Sequence, residues 1–142
     1  MELFVLGRPK EILVVEDSNS DQQLALWALD KNERKKSVVT LMDGAQAMIY
    51  LKTREDGLKP DLILLDLNMP RKSGWEVLAE CKGDAALKSI PIVVFSTSRT
   101  ASDISRCYEL GANSFVPKPF DLDEYKRAIA LIEDYWMGLS LS

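Results

Sequence analysis

The residue pattern predicts an α/β protein: a parallel five-stranded sheet with helices on both faces, a three-layer sandwich. Three observations carry this. First, Ile12-Leu13-Val14-Val15, Leu62-Ile63-Leu64-Leu65 and Ile92-Val93-Val94-Phe95 are short runs of mostly branched apolar residues, as strands read when both faces are covered. Second, segments with helix-start signals alternate with these runs, and such alternation implies right-handed crossovers between parallel strands. Third, each run ends in a reactive side chain: Glu16-Asp17, Asp66 and Ser96, with Lys118 following Ser114-Phe115-Val116. Carboxyl ends of parallel strands are where open α/β sheets do their chemistry.

The elements follow in order. Ile12–Glu16 is the first strand, and Ser18-Asn19-Ser20 supplies caps for a helix from about Asp21 to Lys31. Val38–Met42 is the second strand; Asp43, with Gln46 three residues on, opens a helix through about Arg54. Leu62–Asp66 is the third strand, and Ser73-Gly74 starts a helix over Trp75–Lys82. Pro91 introduces the fourth strand, Ile92–Ser96, and a helix from about Ser102 to Leu110 ends at Gly111. Ser114–Val116 is a short fifth strand, and Asp121 caps a last helix running to about Met137. One domain is expected for 142 residues. Its core spans about 10–132, with an extension at 1–9 and a helix end and tail at 133–142.

Composition excludes several classes. A net charge of −4 disfavours direct nucleic-acid binding, which needs a basic face. No run approaches the ~20 apolar residues of a membrane span, and the acidic start Met1-Glu2 lacks the basic region of a signal peptide. Cys81 and Cys107 have no paired spacing and there is no histidine, so two buried free thiols in a reducing cytoplasm are expected.

In the flavodoxin-like strand order 2-1-3-4-5, strands one and three are neighbours, and Glu16, Asp17 and Asp66 crowd one crevice. Two carboxylates ~4 Å apart repel by about 4 kcal/mol at an effective dielectric near 20, so three of them call for a cation. Oxygen-only ligands point to Mg²⁺, with Mn²⁺ as a substitute. Lys118 can hold one anionic oxygen as a point charge and Ser96 can donate to another. That arrangement suits a phosphoryl group in transfer, with Asp66 as nucleophile.

At these residues the chain resembles a response-regulator receiver domain. The resemblance rests on Glu16-Asp17, Pro60-Asp61 leading into Asp66, Met69-Pro70 followed by Gly74, Ser96, Phe115 and Lys118-Pro119-Phe120. Thirty residues separate Asp66 from Ser96, and twenty-two separate Ser96 from Lys118. It implies a regulator, not an enzyme, that accepts a phosphoryl group on Asp66 from the phosphohistidine of a sensor histidine kinase. It further implies Mg²⁺ on Asp17, Asp66 and the Asn68 carbonyl, with Glu16 helping through water. Ser96 and Lys118 would bind phosphoryl oxygens, and Phe115 would act as an aromatic switch. A cis bond at Lys118-Pro119 is the form the family has. Two positions depart from the pattern: Glu16 stands where the family usually has Asp, and Ser96-Thr97-Ser98 leaves Thr97 competing with Ser96 for the switch hydroxyl. A long stretch at Lys52–Lys59, the Ser-Thr-Ser run and the ending Ile132-Glu133-Asp134-Tyr135-Trp136 most resemble small regulators paired with phytochrome kinases.

Other classes fit less well. A phosphatase with a strand-end Asp nucleophile needs an acid two residues later, where Asn68 stands; a flavodoxin needs a Ser/Thr/Gly-rich loop after the first strand, where Asp17 stands. A phosphorylation-independent pseudo-receiver scaffold is the stronger alternative, and Asp17, Asp66 and Lys118 together speak against it. With no effector domain in the sequence, output would pass to a downstream protein or a phosphotransfer partner. In the last helix, Leu122, Tyr125, Ile129, Ile132 and Trp136 form a stripe expected to face the sheet. Ala128, Leu131 and Tyr135 form a second apolar stripe, which predicts a homodimer through the fourth helix, fifth strand and last helix unless the tail folds back over it.

Overall fold

The computed structural model describes residues 10–54 and 57–139. Residues 1–9, part of the Lys52–Lys59 stretch and the end of the tail lie outside the described residues. Strands β1 (Lys10–Val15), β2 (Lys36–Leu41), β3 (Leu62–Leu65), β4 (Ile92–Ser96) and β5 (Ser114–Pro117) form one parallel sheet in the order β2-β1-β3-β4-β5. Helices α1 (Asn19–Lys31), α2 (Gly44–Lys52), α3 (Gly74–Lys82), α4 (Ala101–Glu109) and α5 (Leu122–Glu133) connect and cover it. This is the flavodoxin-like sandwich in the expected order.

Because successive strand side chains point to opposite faces, each apolar run serves two cores. Leu13, Val15, Ile63, Leu65, Ile92 and Val94 pack with residues of α2, α3 and α4, such as Leu51, Leu78 and Cys107. Ile12, Val14, Leu62, Leu64, Val93 and Phe95 pack with residues of α1 and α5, such as Leu29, Tyr125 and Ile129. Trp75 borders the first core; Trp27 and Trp136 border the second. Both cysteines are free and buried, and burial pushes each thiol up to about 11. Among the described residues no helix is long and apolar enough to cross a membrane.

Every helix starts on a side-chain cap: Ser18, Asp43, Ser73, Thr100 and Asp121 each accept the backbone N–H three residues on. These caps correct the expected bounds. The Ser18 cap starts α1 at Asn19, two residues early, and Thr100 starts α4 at Ala101. Thr53 ends α2 before Arg54, its hydroxyl donating to the Ile49 carbonyl at 2.6 Å. Gly111 has φ +104°, the left-handed form that stops α4.

The last helix departs further from expectation. It is α-helical only to Glu133 and continues as a π-helical segment, Asp134–Leu139. Polar contacts hold this end. Lys36 Nζ donates to Glu133 at 2.7 Å and to the Asn32 carbonyl at 2.9 Å, and Asp134 accepts from Asn32 at 3.1 Å and Arg34 at 3.0 Å. With the end so anchored, the wider π turn brings Met137 into the second core. The described tail leaves Leu131 and Tyr135 uncovered, 62% and 52% exposed. Ala128 instead packs at the margin of the second core, and Leu122, in the helix's first turn, is exposed rather than turned to the sheet. No described peptide bond is cis. Lys118-Pro119 is trans, the ordinary ground state, with the Lys118 carbonyl accepting from Arg99 at 3.0 Å.

These burials set a contrast. Ile129 is 1% exposed and wedged under the sheet, so Ile129→Ala should lower unfolding free energy by about 2–5 kcal/mol in denaturant titration. Leu131→Ala, on the exposed face of the same helix, should stay within about 0.5 kcal/mol of wild type in dilute solution.

Candidate functional site

The order β2-β1-β3-β4-β5 sets the ends of β1 and β3 side by side, and the Asp66 N–H donates to the Val15 carbonyl at 3.0 Å. Carboxylate oxygens of Glu16, Asp17 and Asp66 consequently lie within 4.8 Å of one another. Lys118 follows β5, its N–H donating to the Ser96 carbonyl at 2.7 Å, and its side chain crosses to the acids. Its ammonium is 2.5 Å from Glu16 Oε1, 3.4 Å from Asp21 Oδ2 and 3.9 Å from Asp66 Oδ1. The extra methylene of Glu16 thus does something definite: it carries the carboxylate to Lys118, closer than Asp66 comes. The other Glu16 oxygen accepts the Ser18 N–H at 3.2 Å, and Gln22 braces the Glu16 carbonyl at 2.7 Å.

Ser96 is fully buried at the end of β4, its hydroxyl accepting the Ser98 N–H at 3.2 Å, while Thr97 is exposed. Asn68 is exposed on the loop after β3. Phe115 is half-buried, bordering the first core with Met69, Trp75 and Leu110. Its backbone N–H, on an edge strand, donates to the Tyr108 hydroxyl of α4 at 3.0 Å. The structure therefore gathers Glu16, Asp17, Asp66 and Lys118 into one cluster, with Ser96 and Phe115 on the strands behind it.

Two glycines shape the rim. A Cβ at Gly74 would overlap the Asp66 carbonyl, and one at Gly44 would overlap the Lys72 carbonyl, so the loop after β3 folds back only because these residues lack side chains. Three contributors escape the sequence reading. Asp21 lies one helical turn beyond Asp17 and reaches Lys118; the Ser18-x-x-Asp21 spacing was a usable signal. Tyr108 was not signalled at all. Arg71 reads as a solvated loop residue, yet both its Nε, at 2.8 Å, and its Nη2 donate to buried Asp43.

The electrostatics follow from this crowding. Burial pushes the Asp66 carboxyl up to about 7; the Glu16 and Asp17 charges add to the rise and Lys118 only partly opposes it. Burial also raises Glu16 against the pull of Lys118. For Lys118, burial works against the charge, but its hydrogen bond to Glu16 and the surrounding acids outweigh it and hold the ammonium above its ordinary value. An acid cluster with one cation and oxygen-only donors fits a divalent metal ion. Glu16, Asp17 and Asp66 are the acids whose oxygens lie close enough together to hold it.

The raised Asp66 pKa has a consequence for stability. The folded-state value, about 7, lies above the ordinary 3.8. The proton therefore stabilises the fold fully below the unfolded value, and that stability is lost as pH rises through 7. In chelator, Asp66→Asn should melt above wild type at about pH 8, and the gap should close toward about pH 4. A gap that does not change with pH in thermal melts would show that Asp66 is not strained by charge.

A family model for the response regulator receiver domain matches residues 12–130. Response regulator Rcp1 of Synechocystis sp. is 40% identical over 132 residues, covering 91% of this chain and 90% of its own. The probable methanogenesis regulatory protein FilR2 of Methanothrix harundinacea is 36% identical, covering 94% and 88%. Among solved structures, the phosphorylated cyanobacterial phytochrome response regulator RcpA superposes with a TM-score of 0.88 at 41% identity, covering 94% of this chain and 98% of that one. The Mn²⁺-bound form of Rcp1 superposes at 0.86 with 39% identity, over the same shares of the two chains. With strand order, acid cluster and lysine in agreement, this chain belongs to the response-regulator receiver family.

Proposed function

We propose that this protein is a phosphoacceptor in a two-component system, receiving a phosphoryl group on Asp66 from a sensor histidine kinase of the phytochrome type. The observation that carries this reading is the convergence of Glu16, Asp17 and Asp66 within 4.8 Å beside Lys118. The likeness to Rcp1 and RcpA supports the choice of kinase. An Asp66 oxygen attacks phosphorus in line; the P–N bond to the kinase histidine breaks, its electron pair leaves with the imidazole, and an acyl phosphate forms. Bound Mg²⁺, or Mn²⁺ in its place, would neutralise the carboxylates and phosphoryl oxygens. Lys118 moves its hydrogen bond from Glu16 to a phosphoryl oxygen, and the Ser96 hydroxyl donates to another. Ser96 suits this role better than Thr97 because it alone of the two is buried at the strand end.

The shift of Ser96 leaves room for Phe115 to turn inward, a small contact difference that biases a two-state element. Tyr108, bonded to the Phe115 N–H, passes the change to α4. The readout is a homodimer through α4, β5 and α5, with Leu131 and Tyr135 at its centre and Ala128 at its margin, and from it a downstream protein or phosphotransfer partner. We place the protein in the cytoplasm, where such a kinase presents its phosphohistidine. The protein catalyses only its own phosphorylation and dephosphorylation.

Intact mass after incubation with Mg²⁺ and a small-molecule phosphodonor should show one phosphoryl group on wild type and none on Asp66→Asn. Uptake by the variant at the wild-type rate would remove Asp66 from its role. In sedimentation, phosphodonor should shift wild type toward dimer while Leu131→Glu stays monomeric. Ser96→Ala should blunt that shift more than Thr97→Ala, and the opposite order would transfer the switch to Thr97.

A further inference from the structure

Beyond the acid cluster, the loop carrying Asn68 is held from the side by a contact that the mechanism does not use. Arg71 has φ +62°, and among the described residues it is the one non-glycine in the left-handed region. Side chains rarely hold that conformation unless surrounding contacts over-determine it. Here the contacts are visible. Arg71 donates through Nε at 2.8 Å and through Nη2 to a single oxygen of Asp43. Asp43 is fully buried and caps α2, its other oxygen accepting the Gln46 N–H at 2.8 Å. Next to the ion pair, the Gly44 N–H donates to the Lys72 carbonyl at 3.0 Å. Farther on, the Gly74 N–H returns to the Leu67 carbonyl at 2.8 Å.

Between these anchors stand Asn68, Met69 and Pro70, and among the described residues no hydrogen bond involves any of the three. The height and tilt of the Asn68 peptide above Asp66 are therefore set by where the loop is tied: at Leu67 on one side, and at Arg71 and Lys72 on the other. Asp43 is rooted in α2, so the tie runs to a rigid element rather than to another loop.

We propose that Arg71 and Asp43 form a positioning pair, fixing the loop after β3 so that the Asn68 carbonyl is presented to the divalent cation before the cation arrives. The proposal rests on the reading of Glu16, Asp17, Asp66 and Asn68 as the metal-binding set. Loss of the pair frees the loop, and its ordering then opposes metal binding. Arg71 itself is 68% exposed at the side chain, so its replacement leaves both cores untouched.

The test is Mg²⁺ affinity by calorimetry, read beside thermal melts in chelator. Arg71→Asn is the main variant, because Asn tolerates the left-handed backbone while removing the guanidinium. Its Mg²⁺ dissociation constant should rise roughly 10-fold, the size seen when a partner of a metal ligand is lost, while the melt in chelator shows a protein that is still folded, lowered only by the cost of leaving Asp43 without that partner. Arg71→Lys, which keeps a cation near Asp43, should recover part of the loss. Asp43→Asn should weaken Mg²⁺ similarly, and the double variant should lose no more than either single one. An Arg71→Asn protein that binds Mg²⁺ with wild-type affinity overturns the positioning role. Wild-type Mg²⁺ affinity in Asp17→Ala would instead overturn the metal-binding set itself, so the two failures are separable.

Discussion

Three carboxylates packed within 4.8 Å at the carboxyl ends of two inner strands repel one another, and the site is organised around that repulsion. Among the described residues the Lys118 ammonium stands against Glu16, Asp21 and Asp66. Burial, with the Glu16 and Asp17 charges adding to it, pushes the Asp66 carboxyl up to about 7, and Lys118, in short contact with Glu16, only partly opposes the rise. In the proposed reaction an added cation would favour the Asp66 carboxylate, and an incoming phosphoryl group would give Lys118 a partner other than Glu16. Cation binding, nucleophile ionisation and lysine release would then answer one electrostatic strain.

The fold holds that strain in place through backbone rather than side chains. Parallel pairing of β1 with β3 fixes the spacing of the acids, and pairing of β4 with β5 fixes Ser96 beside Lys118. Gly44 and Gly74 let the loop after β3 close onto α2 and onto Asp66 itself. From this rim the chain leads outward along β5, where Phe115 borders the first core and Tyr108 ties its N–H to α4. Leu131 on α5 and Tyr135 on the π-helical segment after it are exposed, and in the proposed switch they would be the outlet for a change at Ser96.

The strands and their reactive ends were legible because both rest on local patterns, branched runs and the residue that ends each run, while the strand order came with the flavodoxin-like fold that alternation implies. Asp17, Asp66 and Lys118 are found that way. What was not legible depends on contacts between distant residues. Arg71 looked solvated because nothing in its neighbourhood points to Asp43, 28 residues earlier. The turn from α to π at Asp134 follows from Asn32, Arg34 and Lys36, about a hundred residues away. A helical stripe could not show that Leu122 would sit in an exposed first turn or that Ala128 would join the core. Burial likewise separates Ser96 from Thr97, two adjacent hydroxyls that spacing alone left in competition.

The charge state of Asp66 reports most directly on the strain at this site. Carbon-detected NMR of its carboxyl group, titrated in chelator and again with saturating Mg²⁺, measures that state directly. The expected result is a titration near 7 in chelator, moving well down into the ordinary carboxylate range when Mg²⁺ is present. A titration at the ordinary value of 3.8 in both conditions would mean that neither burial nor the neighbouring acids strain the Asp66 carboxylate, the opposite of what the geometry requires.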